Sequence, residues 1–93
     1  MTPEQELARS HQAEALLKDP VLIEAFETIE QEIIAKWTAS PARDAEGREK
    51  LWLMQQMLRR VKVQLESVVE SGKLARATLA QRARNLGRDS SEL

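Results

Sequence analysis

Ninety-three residues leave room for one domain, and a domain of this size buries a smaller share of its surface than a large one, which argues against an enclosed catalytic cleft. Hydrophobic residues make up 42% and charged residues 31% of the chain, with Phe26, Trp37 and Trp52 the only aromatics, so the material is helix-forming and lacks the enrichment of sheets. The net charge is −1 and there is no cysteine, which excludes disulfides and thiolate metal sites.

The small net charge hides a polarity. Residues 1–41 carry three basic groups against eight acidic ones, a balance of −5, whereas residues 42–88 carry eleven against five, a balance of +6. No apolar run approaches the roughly 20 residues that span a bilayer, and Met1 to Lys18 has no apolar core of signal-peptide length. A cytoplasmic protein is the expectation.

Thr2-Pro3-Glu4-Gln5 starts the first helix: Thr2 can accept from the amide three residues on, Pro3 lacks only a donor that would be orphaned anyway, and Gln5 can reach back. This helix is expected to occupy residues 1–18. Asp19-Pro20 then breaks it, because the residue before proline is pushed out of the helical region, and Asp19 caps a second helix over 20–38. Leu22, Phe26, Ile29, Ile33 and Trp37 form one stripe on that helix, with Glu24, Glu27 and Glu32 elsewhere on its surface. Thr38 to Arg43 holds the small and turn-forming residues of a connection, and Asp44 is placed to cap a third helix.

The third segment, 45–86, repeats apolar or small residues at alternating spacings of three and four: Leu51, Met54, Leu58, Val61, Leu65, Val68, Gly72, Ala75 and Leu79. That is a coiled-coil-like seam on a helix of about 63 Å. Gly72 allows either a helix stop or a close approach within an unbroken helix. Residues 87–93 read as a flexible tail. The fold class is therefore all-α, a helical hairpin with a long C-terminal helix and a short N-terminal one. The short loop predicts antiparallel pairing with Ile33 near Met54, Ile29 near Leu58, Phe26 near Val61 and Leu22 near Leu65. The first helix, folded back, covers the stretch from Leu65 towards Trp52. That register leaves Val68, Gly72, Ala75 and Leu79 without a partner, so these four residues are the candidate protein interface, for a second copy or a helical partner. The opposite charges of the two halves suit head-to-tail neighbours.

Catalytic chemistry finds little purchase. His11 stands alone, without a second histidine or a cysteine. The glutamates sit at helix-surface spacing, and no phosphate loop, nucleophile elbow or metal-ligand pair occurs, so no catalytic, metal or cofactor residue is assigned. Trp37 and Trp52 flank the loop as either core caps or partner anchors. Lys73, Arg76, Arg82, Arg84 and Arg88 make an acid-free basic stretch that could meet a phosphate backbone, an acidic protein or only solvent; no aromatic residue is interleaved for stacking.

The stretch from Leu16 to about Leu79 resembles small helical proteins encoded among the virion-assembly genes of tailed bacteriophages and prophages. The resemblance lies in Asp19-Pro20, the Trp37 end of the second helix, the run from Asp44 to Trp52, and Gly72-Lys73-Leu74-Ala75. Its motifs are architectural, so it implies a neighbourhood and a non-enzymatic, helix-binding adaptor or accessory protein, in the host cytoplasm or on the virion, with no functional residue carried over. Two alternatives stand beside it: a DNA adaptor like a terminase small subunit, using the basic stretch, and a phage-encoded inhibitor of a host protein. No membrane association is expected.

Overall fold

In a computed structural model the backbone is described for residues 1–92 and the side chains for residues 1–87. Three α-helices account for nearly all of it, Pro3–Lys18 (α1), Pro20–Ala39 (α2) and Ala45–Glu92 (α3), and no strand occurs among the described residues. The chain is all-α, with two shorter helices ahead of a long one.

Each helix begins where its sequence provides a cap. Thr2 Oγ1 accepts from the Gln5 amide at 3.2 Å while Gln5 Oε1 accepts from the Thr2 amide at 3.0 Å, the reciprocal box that satisfies two otherwise orphaned donors. Asp19 is extended, and its Oδ1 accepts from Val21 and Leu22 ahead of Pro20 in the first turn of α2. α2 stops at Ser40, whose amide and hydroxyl both donate to the Trp37 carbonyl. Asp44 Oδ1 then accepts from the Gly47 amide at 3.0 Å to start α3. Gly72 lies inside α3, which continues past Leu86 to Glu92. The flexible tail expected over 87–93 is corrected, since the helix includes residues 87–92; the side chains from residue 88 on lie outside the described residues.

Two compact units divide the chain: Leu16–Gln64, and Met1–Ala15 together with the residues from Leu65 on. The first is an antiparallel hairpin of α2 against the early turns of α3, since Arg48 meets Ser40 and Trp37 beside the loop while Lys62 meets Glu30 and Phe26 farther along. Ile33 is its one buried apolar side chain. In the second unit α1 runs antiparallel to the later turns of α3: Glu4 pairs with Arg82, and Ser10 lies against Gly72. Ser10, Ala13, Gly72 and Ala75 are buried there, so its core is made of small residues that let two backbones come close.

The face that α3 turns to α2 departs from the expected one. Lys62, not Val61, stands over the Phe26 ring, with its Nζ 5.2 Å from the centroid. Met54 and Val61 are about half exposed, and Ile29 is exposed as well, while Gln55 and Lys62 are partly covered. Leu51 and Leu58 keep their places on the covered line. The covered face of α3 is therefore centred about 50° from the expected one, with Gln55 and Lys62 taking the places of Met54 and Val61 between those leucines.

Candidate protein interface

The contacts between α2 and α3 divide the hairpin surface into two sides. On α3, Gln55 and Lys62 lie to one side of the covered Leu51–Leu58 line, and Met54 and Val61 lie to the other, because successive residues are separated by about 100° around a helix. On α2, Glu30 and Ile29 flank the line of Phe26 and Ile33 in the same way. Lys62 Nζ bonds Glu30 Oε1 at 2.8 Å, which places Glu30 on the Gln55 and Lys62 side. Ile29 consequently shares a side with Met54 and Val61.

The first side carries the ionic contacts of the hairpin, beside the exposed Ile23, Ile34 and Trp52. The Arg48 guanidinium lies 4.6 Å over the Trp37 ring and its Nε donates to Ser40 Oγ at 3.0 Å, so Arg48 ties the end of α2 to the start of α3. Lys62 combines an ion pair with Glu30 and a cation–π contact with Phe26; both partners are roughly a third or more exposed, so the pair contributes little stability and mainly sets register.

The second side is apolar and open. Leu51-Trp52-Leu53-Met54-Gln55-Gln56-Met57-Leu58 passes through two helical turns without a charge. A helix without charge on any face is normally surrounded by other elements, yet α2 covers only one face of this one. Met54 is 51% and Met57 62% exposed, and Leu53 and Val61 are open to a similar degree. Across from them, Val21, Ala25 and Ile29 line a shallow depression with Glu24 and Thr28. Twelve of the fifteen large exposed apolar side chains belong to the hairpin unit, so the uncovered apolar surface is concentrated there.

The expected interface residues are placed differently. Val68 and Leu79 are partly covered, and Gly72 and Ala75 are buried, because α1 of the same chain lies on that seam. The bare seam inferred from the sequence is thus corrected: α1 follows the later turns of α3 and does not run from Leu65 back towards Trp52. The reason is steric. A Cβ at Gly72 would overlap Ser10 Cβ and Oγ, and such closeness needs small residues on both helices. Ser10 Oγ remains satisfied by donating to the Leu7 carbonyl at 2.8 Å.

The basic stretch is engaged within the chain. Lys73 Nζ bonds Glu70 Oε1 at 2.8 Å, Arg82 reaches Glu4 at 3.8 Å, and Arg84 donates to Gln81 Oε1 at 2.6 Å. Arg76 Nη2 lies 3.4 Å from His11 Nε2, which gives the single histidine a surface partner. The Arg88 side chain lies outside the described residues. Trp37 is covered on one face by Arg48, whereas Trp52 is half exposed. Among the described residues no group of acidic or histidine side chains is arranged to hold a metal ion, and no helix is long and apolar enough to cross a membrane.

Compared with known proteins, the chain matches no family model, no curated sequence and no solved structure. The geometry of the hairpin's apolar side is thus the basis for a functional reading.

Proposed function

We propose that this chain is a non-enzymatic association protein that works through helix–helix contacts made by its hairpin unit. One observation carries the reading: two turns of α3 without a charge on any face, covered by α2 on one face only. Exposed apolar patches of this kind mark interfaces, because water around them is released when a partner covers them. The basic stretch supports a nucleic-acid reading less well, since Lys73 and Arg82 already pair with carboxylates of the same chain. A role as an adaptor or accessory protein in the assembly of a tailed-phage particle, in the host cytoplasm, rests on the sequence resemblance and accords with a small chain that binds through helices.

The test is the mass of the intact protein in solution, followed by co-purification with the products of neighbouring genes. An assembly heavier than one chain, or a stoichiometric partner, is expected. A monomer that recovers no stoichiometric partner, and whose Trp52 fluorescence no candidate protein alters, would sink the reading.

A further inference from the structure

We infer that α1 is a releasable strap: it leaves the later turns of α3 as one unit while the hairpin stays closed, and by leaving it uncovers the seam of Val68, Gly72, Ala75 and Leu79. This goes beyond the association reading and does not depend on it.

Little holds α1 down. The buried residues between it and α3 are Ser10, Ala13, Gly72 and Ala75, so the fully covered apolar side chains are two methyl groups. Leu7, Val68 and Leu79 add partly covered surface. The hairpin closes on larger groups, Ile33 with Leu22, Phe26, Leu51 and Leu58, and apolar stabilisation follows the area withdrawn from water. Charge adds little to the grip on α1. Glu4 and Arg82 are 3.8 Å apart with side chains 63% and 58% exposed, and His11 meets Arg76 at 3.4 Å in solvent. The Glu14 carboxylate acts on Lys73, whose side chain is 67% exposed. The hairpin has instead Arg48 and Lys62, each joining a ring contact to a hydrogen bond.

Release also disturbs little else. Ser10 Oγ donates to the Leu7 carbonyl of its own helix, so this buried hydroxyl keeps its partner when α1 departs. Asp19 is the joint, one extended residue between two helices. Its carboxylate accepts from Val21 and Leu22 and its carbonyl from Ile23, so α2 is capped from within and does not need α1. A helix of 16 residues is marginal in water by itself. Once off α3, α1 therefore loses its helix, and the opening is one event for the whole element.

The chain has no cysteine, so a single introduced thiol reports one position. Ala75→Cys places it on the covered seam at a site 2% exposed, and Leu74→Cys places it one residue away at a site 72% exposed, as the open reference. Maleimide labelling of both variants is read beside native-state hydrogen exchange of the intact chain. After correction for intrinsic rates, the amides of Leu7 to Ala15 are expected to exchange at least roughly tenfold faster than those around Ile33. The Ala75→Cys thiol is expected to react more slowly than that of Leu74→Cys, yet through an opening at least about tenfold more frequent than the one that frees the Ile33 amides. Exchange of α1 no faster than that of the Ile33 amides would mean that α1 departs only with global unfolding, and overturns the strap. Fast exchange of α1 with an unreactive Ala75→Cys thiol would mean that the helix frays in place, and overturns it too. Should Ala75→Cys not fold, the amides of the intact chain decide.

Discussion

At the scale of single residues, Ser10 occupies the space where a side chain at Gly72 would stand. Alanine at position 72 would gain about 1 kcal/mol of helix propensity, but overpacking against Ser10 costs about 1–3 kcal/mol, so a net loss is expected for Gly72→Ala. Ser10→Gly should relieve it, and a double-mutant cycle in urea is expected to show favourable coupling; additive effects would mean that the two helices are not in contact. Lys73 offers a second residue-level test. The hydrogen bond and charge of Glu70 hold its ammonium above the ordinary 10.5, against a smaller opposing effect of desolvation. A raised folded-state value stabilises the fold below the unfolded value and is lost as pH climbs through the raised one, that is, above 10.5. Glu70→Gln should return the Lys73 titration towards 10.5 in NMR and leave the urea midpoint at neutral pH almost unchanged, since the pair is exposed and screened by solvent. Residue spacing made Gly72 readable as a point of close approach, but not what approaches it, because serine and alanine carry almost no hydrophobic signal.

At the scale of elements, all three helix starts were legible, since Thr2, Asp19 and Asp44 accept the amide bonds that their positions require. The covered stripe of α2 was legible at Leu22, Phe26 and Ile33 and misread at Ile29. The covered face of α3 was harder. Periodicity locates a face by contrast with charged positions, and residues 51–58 provide none, so Met54 reads as well as Gln55; at Lys62 the contrast misleads, because its stem covers apolar surface while its ammonium reaches Glu30. The consequence for stability is specific. Ile33→Ala should cost about 2–5 kcal/mol at any protein concentration, because Ile33 is 4% exposed within one hairpin. Ile29→Ala should cost little in dilute solution and more as the concentration rises; equal effects of the two variants under all conditions would show that Ile29 is buried inside a single chain.

At the scale of the molecule, the described chain buries only three apolar side chains, Ala13, Ile33 and Ala75, which is a slender core for 93 residues. Stability should then be shared between the fold and association. The midpoint of thermal unfolding is expected to rise with protein concentration, as it does whenever the folded form alone binds its own kind; a midpoint independent of concentration would place all of the stability within one chain. Charge polarity was plain in the sequence, but which half uses it was not, because that depends on which face each helix turns outward. The division of the chain into units also orders events in time. The hairpin unit is continuous in sequence, and its ion pair joins residues 32 apart, so it can close while the ribosome is still adding the end of the chain. The other unit is split, and His11 waits 65 residues for Arg76. During synthesis α1 must therefore remain unpaired until the far half of α3 is made, and a chain truncated before Gly72 would keep its hairpin while its first helix had nothing to lie against.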